Sequence, residues 1–183
     1  DAVFNAVVFG ARITGVTIGG TAASLISRNT SNANNAPELW LVKNMAGGTP
    51  NIVVTVAGGG YITGSVDEWA AGVLASSAVD TGTANNAQAG SGSPSVSLAI
   101  TTSQANTIIY GAAVATNSAA NNAFTNPGGW TNGYIEQDAG NHESGIGSWI
   151  EQTSAGIFTF APGMASSSWT ATIVALKLAG GGG

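Results

Sequence analysis

An antiparallel β-sandwich is the fold class this sequence predicts, and three observations carry that prediction. Apolar residues recur with period two in several short runs. Glycine, asparagine and proline clusters separate those runs at short intervals. The composition has four Lys+Arg, nine Asp+Glu, one His and no Cys against 27 Gly and five Trp, so the polar surface is built from Ser, Thr, Asn and Gly. Many short strands with turn chemistry between them mean a sandwich or barrel. At 183 residues the chain reads as one domain over 1–179, followed by a glycine tail or linker at 180–183. Such a length buries a core without disulfides or metal.

The elements follow in order. Phe4–Arg12 is a first strand. Thr14–Ile18 and Thr21–Ser27 flank Gly19-Gly20, which reads as a two-residue hairpin turn. Asn29–Pro37 is a turn region before the strand Glu38–Lys43. Gly47–Pro50 and Gly58–Gly60 bracket Asn51–Ala57, which is apolar on both faces and therefore reads as a central, covered strand. Asp67–Leu74 fits a single helical turn or a strand. The low-complexity stretch Thr81–Pro94 reads as an exposed loop. Ser95–Thr101 places Val96, Leu98 and Ile100 on one face, the pattern of a half-buried strand. Thr107–Val114 is another strand, Asn121–Gly129 a loop turning at Asn126-Pro127-Gly128, and Thr170–Leu178 the last strand. No internal repeat of 20–50 residues stands out.

Charge excludes some functions. The four cations Arg12, Arg28, Lys43 and Lys177 are scattered and the net charge is −5, so no basic patch for nucleic acid exists. No run approaches the ~20 apolar residues of a membrane span, and no signal peptide is visible. Opening on Asp1 without Met reads as a processed or partial product. The absence of Cys leaves the redox compartment unstated.

Few side chains carry chemistry. His142 would have to be the base of any Ser-His-acid triad, but it lies in a Gly-rich stretch without a G-x-S-x-G elbow and reads as a loop histidine. Glu136, Asp138, Glu143 and Glu151 lie near Trp130, Tyr134 and Trp149, a grouping compatible with two-carboxylate glycoside hydrolysis. Glu136-Gln137-Asp138 begins an E-x-D-x-x-E pattern, but Asn141 stands where its last Glu belongs. These acids read as solubilising charge, and no catalytic residue is assigned. Asp138, Asn141 and Glu143, or Asp67, Glu68 and Asp80, offer oxygen ligands for calcium without EF-hand spacing, so no metal and no cofactor is expected. Gly58-Gly59-Gly60 lacks the Lys and helix of a phosphate loop. Asn29-Thr30-Ser31 is a glycosylation sequon at the frequency chance allows in an Asn-rich chain.

Of the tryptophans, Trp40, Trp69 and Trp169 lie in strands and are expected in the core, whereas Trp130 and Trp149, with Tyr134, are the candidate surface for a glycan or a protein partner. In the N-terminal run, Val3, Phe4, Val7, Val8 and Phe9 could form a donor strand that completes a neighbour's sheet.

Several segments together resemble a β-sandwich domain of phage structural proteins and large secreted bacterial proteins. Thr14–Ala22 is similar to its V-x-Y-x-G-x-x-(L/M) hairpin, Glu38–Val42 to its E-L-W-Y-L strand and Asn51–Ala57 to its V-x-V-T-x-S strand. Ala78-Val79-Asp80 is similar to its G-V-D, Ser95–Thr101 to its P-x-x-x-V-x-T-T and Trp169–Lys177 to its terminal W-x-x-x-x-x-x-L-K. The resemblance covers most of the chain, with Ala119–Gly147 in a region that varies within the family, and brings no fixed catalytic residues. It implies a jelly-roll-like sandwich in a virion protein, as head decoration or tail-associated fibre. The expected partners are copies of itself and other structural proteins at a virion surface or outside a cell. An extracellular filament subunit and a carbohydrate-binding module are the alternatives.

Overall fold

The computed structural model describes residues 1–31, 35–80, 86–116, 124–138 and 143–180, without side-chain detail for 86–95, 116, 138 and 165–167. In chain order its strands are β1 (Ala2–Phe9), β2 (Arg12–Ile18), β3 (Thr21–Ala22), β4 (Ser24–Arg28), β5 (Asn35–Val42), β6 (Ile52–Ala57), β7 (Tyr61–Glu68) and β8 (Leu74–Val79). They continue with β9 (Asn86–Ser95), β10 (Leu98–Thr101), β11 (Thr107–Thr116), β12 (Thr131–Asp138), β13 (Glu143–Gln152), β14 (Ile157–Phe160) and β15 (Gly163–Leu178). Every paired strand is antiparallel, so the chain is an all-β protein of packed antiparallel sheets.

Two large sheets form the middle of the molecule. One is four-stranded in the order β4-β5-β1-β7; the other is six-stranded, β12-β13-β11-β15-β8, with β9 also on β15. Val3, Leu39 and Leu41 of the first sheet meet Ile108, Tyr110, Val174 and Leu176 of the second. Further along, Val7 and Phe9 meet Ala112, Val114 and Tyr134. A smaller sheet covers each outer face. The three-stranded β3-β2-β6 lies on the first, where Ile13, Val16 and Ile18 pack on Phe4, Val8 and Trp40. The two-stranded β10-β14 lies on the second, where Leu98, Ile100 and Phe160 pack on Ile109, Ala113 and Ile173. The sandwich is thus capped on both sides. This is why β1, sequence A-V-F-N-A-V-V-F, is buried along its whole length: alternate residues face two different cores.

Gly19 and Gly20 take φ of 57° and 77°, the left-handed geometry that the predicted hairpin requires. Val96, Leu98 and Ile100 are all buried, as their alternation indicated, although the strand there is split, β9 ending at Ser95 and β10 starting at Leu98.

Other expectations are corrected. The first strand stops at Phe9, because Gly10 turns with φ 70° and Arg12 already belongs to β2. The stretch 67–74 forms no helix: β7 runs through Asp67 and Glu68, a turn follows, and β8 starts at Leu74. Asn35–Pro37, read as turn, opens β5. Asn86–Pro94, read as loop, lies in a strand registered on β15; residues 81–85 of that stretch lie outside the described residues. Gly, Ser, Asn and Gln there resemble turn chemistry, and the long β15 provides the pairing that their side chains do not specify. Asn51–Ala57 is a strand, but not a covered one. β6 is the outer strand of its sheet, with Ile52 46% and Val53 56% exposed. Of the tryptophans expected in the core, Trp40 and Trp169 are 6% exposed and Trp69 is half-buried.

Candidate functional site

Trp130, Tyr134 and Trp149 do not form one surface. Trp130 lies against Phe160, ring centroids 5.2 Å apart, in the outer core beneath β10–β14. Tyr134 is 9% exposed and fills the space between Val7, Phe9, Ala112 and Val114 on the other face of the large sheet. Its neighbour across the ladder is Gly147, where an added Cβ would strike the Tyr134 ring. Trp149 faces the same way as Tyr134 and is half-buried against Trp69 and Tyr110. A register shift between Asn132 and Tyr134 contributes to this arrangement. The aromatic platform is therefore replaced by packing in two different cores.

The donor-strand residues are likewise placed inside their own chain. β1 pairs with β5 on one side and β7 on the other, and Val3, Phe4, Val7, Val8 and Phe9 are all buried. With both edges satisfied, β1 has no open ladder to offer a neighbour in this arrangement.

Glu136 on β12 and Glu151 on β13 are exposed. Asp138 and Glu143 are register partners at the end of their hairpin. Asn141 and His142 lie outside the described residues. Among the described residues no three His, Asp or Glu side chains gather as a cation site. The Gly58–Gly60 run turns β6 into β7, and an added Cβ at Gly60 would run into the Phe9 carbonyl and lie 2.9 Å from Ala11 Cβ. Close backbone packing explains that glycine.

Asp67, a candidate cation ligand in the sequence, instead joins an aromatic cluster. At the β7 edge, the Trp69 indole N–H donates to the Tyr110 hydroxyl at 3.0 Å. Trp69 and Trp149 meet edge to face, 5.4 Å between centroids at 80°. The Asp67 carboxyl stands beside the Tyr110 hydroxyl and the Trp149 indole, and its Oδ2 is buried without a hydrogen-bond partner. Burial pushes the Asp67 pKa up and outweighs the two donors, which pull it down. Burial, and then the Asp67 charge, push the Tyr110 hydroxyl far up, so it stays protonated. This is a half-buried acid in an aromatic frame, joining an edge of one large sheet to the face of the other.

A pH prediction follows. Asp67 has a folded pKa above its unfolded value of about 4. Between the two values the folded chain holds a proton that the unfolded chain has lost, so stability falls as pH rises through that window. Asp67→Asn is expected to remove this dependence. Melting temperatures of variant and wild type, compared from about pH 3 to neutrality, are expected to diverge in the variant's favour as pH rises. A constant difference across that range would contradict the assignment.

The remaining polar contacts hold the fold together. Asp1 Oδ2 accepts from Lys43 Nζ at 2.7 Å, and the same ammonium donates to the carbonyls of Leu74 and Ala75. Asp80, 2% exposed, accepts from the Ser103 amide at 2.8 Å and from its hydroxyl, fixing the turn after β10. Arg28 binds Glu38 at 2.8 Å. Two cations that look isolated in the sequence are thus fold contacts, and only strand register reveals their partners. Comparisons with protein-family models, with characterised proteins and with solved structures gave no match.

Proposed function

We propose that the chain is a structural virion protein, a head decoration or tail-associated fibre component that works through protein–protein contacts, including contacts with its own copies. One observation carries the reading: several acids and cations are committed to internal fold contacts, while exposed aliphatic residues, Ile52, Val53 and Ile157, sit on strands of the two outer sheets. Ile157 on β14 is 72% exposed. A surface of this kind, apolar strands among Thr, Ser and Asn, suits wet packing contacts with little electrostatic steering. The segment-by-segment resemblance to phage sandwich domains supports the virion setting and the jelly-roll-like kinship.

Immunogold electron microscopy of the source material tests this. Gold on an icosahedral shell or a tail is the expected result. Gold confined to cell surfaces, filaments or soluble material would overturn the virion assignment.

A further inference from the structure

We propose that β6 is a self-association seam, pairing antiparallel with β6 of a second copy to join two three-stranded sheets into one continuous sheet. The inference rests on the structural reading only in its expectation of self-contact.

The argument starts from which backbone groups are free. Among the described residues, β6 pairs with β2 alone. The Asn51 carbonyl accepts from the Gly19 amide, and the Thr55 carbonyl accepts from the Thr14 hydroxyl of β2. In an antiparallel strand, successive residues point their N–H and C=O to opposite sides. Odd-numbered residues therefore face β2, and Ile52, Val54 and Val56 turn their amides and carbonyls to the open edge. The Val54 and Val56 side chains lean on the core beneath and are only partly covered by it. A strand added at that edge would complete their burial.

The other edges carry the devices that discourage pairing. β4 has a register shift between Leu25 and Ser27. β7 ends in the exposed Glu68. β12 has Glu136, Asp138 and a register shift. β9 has Pro94 and two register shifts on β15, and β8 meets β15 across another. β3, β10 and β14 are short. β6, I-V-V-T-V-A, has neither charge nor proline, and no charged residue lies between Lys43 and Asp67.

The occupant follows from symmetry and charge. Centred on Val54, a two-fold axis sets Val54 opposite Val54 of the second copy and Ile52 opposite Val56, two hydrogen bonds per pair, about six in all. Every cross-strand pair is then uncharged, so two copies meet without like-charge repulsion, a condition that acidic or basic partners gain nothing from. The seam is small beside a standard interface of roughly 1,600 Å². The free chain is therefore expected to dimerise weakly, and repeated copies on a surface to reinforce the contact by multivalency.

Sedimentation velocity across a concentration series tests it with Val54→Pro. Proline there removes an N–H that faces the open edge and leaves the β2 ladder intact. The wild-type mass is expected to climb from the 18.0 kDa monomer toward twice that value. The variant is expected to stay monomeric, with an unchanged circular dichroism spectrum. A wild type that remains monomeric up to millimolar concentration, or a variant that associates as well, overturns the seam. Should the variant fail to fold, hydrogen exchange on the wild type decides. Amides of Ile52, Val54 and Val56 must gain protection with concentration while those of Val53 and Thr55 stay constant; equal behaviour of the two sets overturns the proposal. Loss of gold from virions would remove the virion reading and leave this result unaffected.

Discussion

Arg28→Ala is expected to destabilise the fold by about 3–5 kcal/mol, the cost of leaving a buried carboxylate without its cation. Glu38 on β5 is fully buried, beneath the three-stranded outer sheet. Its Oε2 accepts from Arg28 at 2.8 Å and from the Trp40 indole at 2.9 Å, and its Oε1 accepts from the Ile13 amide at 3.3 Å. Arg28 also donates to the Ile13 carbonyl at 2.5 Å and lies 5.7 Å from the centre of the Trp40 ring. The guanidinium therefore neutralises Glu38, ties β2 to β4 and β5, and covers an aromatic face. The alanine variant removes all three while the carboxylate keeps two neutral donors. Because the Arg28 side chain is 22% exposed, water can enter the vacated space, and the lower end of the range is expected. Urea denaturation measures the loss, and a double-mutant cycle with Glu38→Gln isolates the charge component. A loss below about 1 kcal/mol would place the pair with solvated surface bridges instead.

This pair also shows where sequence legibility stops. Glu38 and Trp40, two apart in a strand, share a face on inspection. That Arg28 stands opposite Glu38 depends on the β4–β5 register, with its shift between Leu25 and Ser27. The all-β class and the strands around Ile108, Val174 and Leu39 are legible because alternation and β-branched content mark them. β9 is not, since its glycines and serines look like a turn, and it is a strand through its pairing with β15. β6 failed in the opposite sense. Apolar residues on both faces announce burial within one chain, but position in the sheet order decides burial, and β6 lies at an edge. Trp130, Tyr134 and Trp149 lie near one another along the chain but pack in different cores. A clue lay in S-G-I-G-S-W, where Gly145 and Gly147 alternate on the Trp149 face. An added Cβ at Gly145 would strike Val7, and one at Gly147 would strike Tyr134. Glycines at period two in a strand mark a face against which something packs closely.

The same principle gives the second large effect. Phe160→Ala is expected to cost about 3–5 kcal/mol and to loosen β10–β14 before the rest of the molecule. Phe160 is fully buried, meets Trp130 at a tilt and covers Gly111, where an added Cβ would approach its ring to 2.5 Å. A two-stranded sheet is barely stable alone, so this one depends on the side chains beneath it, with Leu98 and Ile100 the other large anchors. Removing the ring leaves a cavity floored by a glycine, which has no side chain to move into it, so relaxation is limited. Gly111→Ala approaches the contact from the other side and is expected to cost about 1–3 kcal/mol by overpacking. Combined, Gly111→Ala with Phe160→Leu is expected to lose less than the sum of the two single changes, because the added methyl occupies part of the vacated volume. Hydrogen exchange reads the location of the effect. Amides of β10 and β14 should lose protection in Phe160→Ala while those of β1 keep theirs relative to global stability. If β1 opens together with β10, the outer sheet is part of one cooperative unit, and the layered account of these cores is wrong.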